Sequence, residues 1–392
     1  MSIQLHDYLK IAEKEKDLPQ VIAYNRIDGP GSSLDLIEFQ QTFFRIPDIS
    51  KEDIPDISNI DDPSTKWTPN NDPTSKWSVN LPRTVGITID TGTKIEAHPF
   101  EPELIGVKSV EYKTEVIAAP GDVIPVSQNW LLKIMEIFNI KGVMFVLQNL
   151  REGIQSSGLG GSSTATIGVC LLANELAGRP FSNIQLISLA SRIEQGFGVS
   201  ITGTQEQSNV IFGGVTDYVW FPWGKPGHPS TGYGESIRFE LIPPEDYNLL
   251  EERTAIFHSG HPRLSSEVNL TWRNALLTEV GYKLHSKKMK VAYDFREGLR
   301  QQKWQHVLES IEEYRRIRTK LCEGYMENSR DLLEYAQSHN STAFPLGAGG
   351  GGGVLLYASE PEDLEDLKED LKGLYREIPF KIRSKGHEII NI

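Results

Sequence analysis

Cysteine is scarce in this chain: Cys170 and Cys322 are the only two among 392 residues. That scarcity excludes a disulfide framework as a folding device, and the two lie too far apart for a metal-type spacing, which fits a reducing compartment. Long apolar runs are also missing. Met1 to Lys16 alternates charged and apolar residues, so no secretory signal is expected there. No later stretch approaches the roughly 18 apolar residues that a membrane span needs. Positive charge is in deficit, with 40 Lys and Arg against 53 Asp and Glu and a formal charge of −13 spread along the chain. Such a balance repels nucleic-acid phosphates and anionic lipid, while leaving room for a nucleotide in one local pocket. The expectation is a cytoplasmic protein that binds neither nucleic acid nor membrane.

Hydrophobic residues make up 39% of the chain, enough for sizeable cores, and at ~150 residues per domain the length suggests two domains. Val21 to Ile27 has strand character and runs into the turn cluster Gly29-Pro30-Gly31-Ser32-Ser33. Between residues 47 and 82 the composition turns polar and proline-rich. There Asp62-Pro63-Ser64-Thr65-Lys66-Trp67 nearly recurs as Asp72-Pro73-Thr74-Ser75-Lys76-Trp77. Two copies are too few for a solenoid, so the segment reads as an insertion whose tryptophans pack on the body or on a partner chain. Strands are expected over Val85 to Ala97 and Leu104 to Ala118, a helix over Trp130 to Phe138, and a strand over Gly142 to Leu150. Two helices should follow, from Ala165 to Ala177 and from the N-cap Ser182 to about Gly196. A polar stretch from Pro222 to Tyr233 is the candidate domain boundary. Beyond it lie a strand at Thr254 to His258, helical segments between Asn269 and Ala336, a strand at Val354 to Tyr357, a charged helix and a strand at Phe380 to Ile382. Strands and helices without strict alternation predict an α+β fold in both halves.

The most informative segment is a strand followed by Ser156-Ser157-Gly158-Leu159-Gly160-Gly161-Ser162-Ser163-Thr164 and a helix. Glycines let backbone N–H groups approach an anion with no side chain between, and the helix adds its positive end. Ser162, Ser163 and Thr164 supply hydroxyls for phosphate oxygens or Mg²⁺. Neither G-x-x-x-x-G-K-[ST] nor a complete G-x-G-x-x-G is present. On local composition alone, a serine-capped flexible turn is an equal reading.

Four segments together resemble the GHMP kinase superfamily, closest to its heptose-phosphate and fucose kinase-like sugar kinases. Gly158-Leu159-Gly160 and Ser162 match the central P-x-G-x-G-L-G-S-S-A, with Gly161 replacing its first serine and the proline absent. Arg26-Ile27, Gly31 and Asp35-Leu36 hold the register of R-I-S-F-A-G-G-G-T-D-L. Ser259 to Val268 is similar to a T-G-x-x-R-x-S-x-x-V stretch, and Leu346 to Gly352 to L-x-G-A-G-G-G-G. The resemblance implies a two-domain fold: an ATP-binding domain over residues 1–225, and a ferredoxin-like α/β sandwich over 226–392 on the substrate side. It implies an ATP-dependent kinase acting on a sugar or sugar-phosphate hydroxyl, the anomeric one foremost, with ATP and Mg²⁺ as cofactors, and leaves room for a homodimer.

By the same resemblance, ATP lies along Ser157, Gly158, Leu159, Gly160, Gly161, Ser162, Ser163 and Thr164. Ser162 and Glu194 hold Mg²⁺, Asp35 and Arg263 bind substrate, and Arg26 sits beside the transferred phosphoryl group. Ile193-Glu194, Gly203 to Gln207 and Phe212-Gly213-Gly214 align with I-E, G-K-Q-D-Q and F-G-G, which places Glu206 where the family has its catalytic aspartate. Glu206 then reads as a base in a site adapted to its length, as a weakened base, or as the mark of a kinase-like binding protein. A non-sugar alcohol remains an alternative acceptor. Locally, Asp35 could also be a turn former, Arg26 a surface ion pair and Arg263 a partner of Glu267. His258 and His261, three apart, lack a third ligand for zinc.

Overall fold

A computed structural model of the chain describes residues 18–43, 81–122, 126–152, 157–220, 236–261 and 265–391. Most of the expected insertion, with Trp67 and Trp77, lies outside the described residues, as do Arg263 and the boundary stretch around residues 222–233. Two sheets carry the architecture. The first has eight strands: β1 (Gln20–Asp28), β2 (Arg83–Pro99), β3 (Ile105–Ser109), β4 (Thr114–Ala118), β5 (Val143–Asn149), β6 (Val215–Trp220), β7 (Ser236–Ile242) and β12 (His387–Ile390). They run β12-β1-β2-β5-β3-β4, with β6 and β7 branching from the other half of β2, and only the β3–β5 pair is parallel.

Long β2 organises this sheet, since its seventeen residues pair β1 on one side and β6 then β5 on the other. Its register against β1 breaks between Tyr24 and Arg26. A side chain on Gly92 would strike the Ala23 carbonyl, so the strands touch here only because that position is bare. Such an irregularity re-aims the residues beyond it, and Arg26 is the first of them.

The second sheet, of four antiparallel strands, runs β11-β8-β10-β9, with β8 at Thr254–His258, β9 at Ser341–Pro345, β10 at Gly353–Ala358 and β11 at Arg376–Glu377. This order is that of a ferredoxin-like sandwich, with four helices rather than one filling the first crossover. Those four are α7 (Ser265–Ala275), α8 (Glu279–Arg300), α9 (Trp304–Leu321) and α10 (Arg330–Ser338). The charged α11 (Pro361–Leu371) buries Leu364, Leu367 and Leu371 against the sheet's outer face, the narrow apolar stripe its sequence affords. Earlier in the chain come α1 (Ile37–Phe43), α2 (Val126–Ile137), α3 (Gly161–Leu176), α4 (Asn183–Gly196), α5 (Gln205–Phe212) and α6 (Tyr247–Glu251). One apolar core lies among β1, β2, β5 and helices α2 to α5, and a second unites β6 and β7 with the second sheet, α8 and α9.

Several expectations need correction. Phe380 to Ile382 is no strand: Ile382 makes one bridge to Ile89 in the irregular part of β2, and the last strand is β12. Leu104 to Ala118 is a hairpin of two short strands, turning at Lys113 with a φ of 51°. Helix α3 begins at Gly161, four residues before the expected Ala165, so the serines belong to its first turn. The division near residue 225 does not coincide with the division between sheets. Strand β7 pairs β6, and β12 returns to pair β1, because each edge leaves backbone groups to satisfy.

Candidate active site

Strand β5 delivers the chain to the glycine loop, and α3 leads away from it. Gly158 and Gly160 have φ of 83° and 79°, a region costly to residues with a Cβ. Gly160 is the N-cap of α3, and no side chain caps the helix. The first N–H groups of α3 therefore lack the usual side-chain acceptor, and a Cβ on Gly161 would meet nothing within 4 Å. This is the arrangement that accepts an anion. Thr164 is turned inward and buried, its N–H bonded to the Gly160 carbonyl at 2.9 Å, so it shapes the turn from within.

Behind this turn stands Glu194, which α4 carries into the interior with none of its surface exposed. Its carboxylate accepts from Ser163 Oγ at 2.8 Å, Gln207 Nε2 at 2.9 Å, Thr166 Oγ1 at 3.1 Å and Ser162 Oγ at 3.2 Å. Burial pushes its pKa up to about 7, with a further push from Glu206, and the hydroxyls oppose both. Ser162 is exposed to the cavity, whereas Glu194 lies behind it. Two oxygens at hydrogen-bond separation suit the cis positions of a small hard cation that draws its other ligands from phosphate and water. The donor chemistry of Ser162 and Glu194 thus fits Mg²⁺.

Arg26 is buried, and its guanidinium reaches three ways. Nε pairs with Asp28 Oδ1 at 2.8 Å, Nη1 donates to the Gly158 carbonyl at 3.2 Å, and Nη2 donates to Glu206 Oε1. Burial alone would lower its pKa, but Asp28 and Glu206 outweigh that and raise it, so the cation is secure. Glu206, in the first turn of α5, is the more open partner, with 20% side-chain exposure. Asp35 sits at 3% exposure, its Oδ2 accepting the Gln205 N–H at 3.0 Å and so capping α5 from outside. Burial first, and Glu206 second, push its pKa up to about 7. A side chain on Gly203 would collide with this carboxylate, so the glycine makes room for Asp35.

A cavity of about 800 Å³ joins these groups. Arg26, Asp28, Asp35 and Glu206 line it beside Ser157, Gly158 and Gly160 to Ser163; the hairpin residues Glu111 to Val116 and Trp130 line it too, as do Arg318, Gly347 and Ala348. The glycine run closes on the Ser157–Ser163 loop directly, for the Gly353 N–H donates to the Ser157 carbonyl at 2.6 Å. Leu159 is buried and Thr164 faces away, so these two hold the loop rather than line the cavity.

Sequence reading overlooked several participants. Thr166 and Gln207 complete the shell around Glu194, and Thr166, four residues after Ser162, could have been found from helical spacing alone. Trp130 donates to Thr166 Oγ1 at 3.2 Å, which ties the hairpin side of the cavity to α3. No local pattern signalled Arg318 or the hairpin. Among the described residues, no group of three or more His, Cys, Asp or Glu is placed to hold a metal ion. Among the described residues, none of the helices is long and apolar enough to cross a membrane.

Comparison with known proteins agrees with the motifs. Residues 131–214 match the family model described as the GHMP kinases N terminal domain. A bifunctional fucokinase/GDP-fucose pyrophosphorylase of Arabidopsis thaliana is 26% identical over 231 residues; the match takes in 56% of this chain but 20% of that protein's length. Among solved structures, the Lactococcus lactis galactokinase complexed with galactose superposes with a TM-score of 0.65 at 14% identity, covering 99% of this chain and 100% of that one. A D-glycero-D-manno-heptose 1-phosphate kinase from Bacteriodes thetaiotaomicron gives 0.63 at 15% identity, covering 96% and 99%. The resemblance read from the motifs is borne out: residues 131–214 match the GHMP kinase N-terminal model, and the α+β fold is that of two-domain kinases of this kind.

Proposed function

We propose that this chain, with its GHMP kinase N-terminal domain, transfers the γ-phosphoryl group of ATP to a hydroxyl of a sugar or sugar phosphate, the anomeric hydroxyl first among them. One observation carries the proposal: an uncapped helix N-terminus, the Arg26–Glu206 pair and the buried Asp35 converge on a single cavity.

Each residue then has a task. Backbone N–H groups from Gly158 to Ser163 bind the phosphates, and the loop's tight glycines let the chain approach them. Trp130 and the hairpin around Tyr112 offer an apolar wall to the nucleobase. Asp35 accepts hydrogen bonds from acceptor hydroxyls and, fixed by the Gln205 N–H, presents them in one orientation. The attacking hydroxyl forms its bond to the γ-phosphorus as the bond to the β-phosphate oxygen breaks. Glu206 takes the hydroxyl proton, and ADP leaves. Arg26, already beside Glu206 and the Gly158 carbonyl, stabilises charge on the transferring group. Ser162 and Glu194 would hold Mg²⁺, which supplies neutralisation of phosphate charge. The first sheet with its helices forms the ATP side and the second sheet the substrate side, and we place the protein in the cytoplasm.

The fucokinase likeness takes in only 20% of that protein's length, so its acceptor serves here as a guide to class. A panel of free sugars, sugar phosphates and mevalonate, assayed for ADP release with ³¹P detection of the product, tests the reading. Product from a sugar or its phosphate is expected. Nucleotide binding without turnover on any acceptor would overturn catalysis in favour of a binding role.

A further inference from the structure

The turn that carries Asp35 is held from below by two buried cations that no step above uses. Ser33 in this turn adopts a φ of 73°, unusual for a residue with a side chain, and Gly31 before it is at 111°. Lys288, on α8, donates from Nζ to the Ser32 carbonyl at 3.0 Å and to Ser33 Oγ at 2.8 Å, with the Phe39 ring 5.3 Å away. Arg318, on α9, donates from Nη1 to Ser32 Oγ at 2.9 Å and Tyr314 Oη at 2.8 Å, and from Nη2 to the Ala348 carbonyl at 2.9 Å. Trp272 and Tyr325 flank its guanidinium, each 4.4 Å from a ring centroid. Both cations are buried, at 1% and 3% exposure, and every hydrogen-bond partner named here is a neutral oxygen.

Buried charges are costly and ordinarily answered by a carboxylate. Here the bonds go instead to the two ends of one acceptor wall. Arg318 ties the Ser32 turn of the first sheet to the glycine run of the second, and both Arg318 and Ala348 line the cavity. Lys288 satisfies the Ser32 carbonyl, three residues before Asp35. Burial and the Arg318 charge draw the Lys288 ammonium well down, yet a neutral amine retains two N–H groups for the same two acceptors.

We propose that Lys288 and Arg318 are positioning residues for the acceptor: by fixing the Ser32–Ser33 turn, with its left-handed Ser33, against the second-domain glycine run, they set where Asp35 meets the substrate hydroxyls. This rests on the kinase reading above. Their effect therefore falls on acceptor binding and not on nucleotide binding, since neither touches the loop from Ser157 to Ser163.

The test uses the full chain with Lys288→Met, Arg318→Met, Arg318→Lys and Ser32→Ala. Three quantities are read: acceptor KM against kcat, affinity for a non-hydrolysable ATP analogue with Mg²⁺, and hydrogen–deuterium exchange of the peptide spanning residues 29–36. The expected result is a rise of about tenfold or more in acceptor KM, as loss of a charged hydrogen bond implies, with analogue affinity within about twofold. Exchange at residues 29–36 should quicken. Arg318→Lys should fail to rescue, because an ammonium cannot span Ser32 Oγ and the Ala348 carbonyl as the planar fork does. Ser32→Ala keeps both basic side chains and takes from Arg318 only one of its three acceptors, and should show a smaller change of the same kind if the Lys288 and Arg318 variants do not fold. Wild-type exchange and KM in folded variants would overturn the proposal, as would an equal loss of analogue affinity. Should the wild-type protein phosphorylate nothing, the kinase reading falls, and the exchange data still decide whether these cations hold the turn.

Discussion

At Glu206 the sequence departs from the aspartate of its apparent kin, and the surroundings have closed on the longer side chain. A Cβ on Gly160 would lie 3.1 Å from Glu206 Cγ and 3.4 Å from the Arg26 guanidinium, so the loop, Glu206 and Arg26 crowd one point. Glu206→Gln should lower turnover by about 10²–10⁴, the share of a positioned base, with acceptor affinity little changed. Glu206→Asp should also be impaired, since the shorter carboxylate draws back from Arg26; restored or raised turnover in a steady-state assay would identify a damaged aspartate instead. The neighbouring glycines separate conformational need from space. Gly160→Val places a branched side chain at positive φ against Glu206 and Arg26 and should abolish binding of the ATP analogue by titration calorimetry. Gly161→Ala meets nothing and should fold with a wild-type melting temperature. Asp35 gives a pH test. Its folded pKa, about 7, lies above the unfolded value of 3.8, so between these the folded state binds more protons. The contribution of Asp35 to stability therefore falls as pH rises from about 4 to about 7, by up to ~1.4 kcal/mol per unit. Thermal melts of Asp35→Asn should show a shallower decline over that window, and an unchanged slope would refute the assignment. Arg26, Asp35 and Glu206 were all legible as residue types in register; that Arg26 binds Glu206 was not, because 180 residues separate them and no local pattern reports such a contact.

Among the elements, α3 and α4 together build the Ser162–Glu194 end of the site. The capping box of α4, with Ser182 accepting from the Gln185 N–H and Gln185 Oε1 accepting in return, was readable from spacing and fixes where that helix starts. From that start, Glu194 falls on the buried face and arrives behind the first turn of α3. Ser162→Ala and Glu194→Gln should each reduce Mg²⁺-dependent turnover by about tenfold or more while changing nucleotide affinity less, because the cation acts most on charge formed during transfer. Turnover measured against Mg²⁺ concentration checks this, and wild-type curves in both variants would remove the metal assignment. The early start of α3 escaped the sequence because serine favours caps over helix interiors; here the hydroxyls of Ser162 and Ser163 find Glu194 instead of competing for their own backbone.

At the scale of the molecule, the chain's end closes its beginning. Strand β12 pairs β1 from Gln20 to Ala23, Glu388 accepts from Tyr24 Oη at 3.0 Å, and His387 Nδ1 lies 2.8 Å from the Val210 carbonyl of α5. Removing residues 387–392 should therefore destabilise the first sheet by about 2–4 kcal/mol, from several lost hydrogen bonds, although those residues follow the second sheet in sequence. A lower denaturant midpoint with an unchanged slope would show it, and a wild-type midpoint would exclude it. Sequence alone determined the α+β class, the strand–glycine loop–helix and the candidacy of Arg26, Asp35, Ser162, Glu194 and Glu206, because periodicity, glycine chemistry and motif register are local properties. Only the tertiary structure decided that β7 and β12 join the first sheet, that Glu194 stands behind Ser162, and that Lys288 and Arg318 reach the Ser32 turn. Those placements depend on which backbone edges and buried charges find partners once the chain is compact, and residues hundreds of positions apart settle that together.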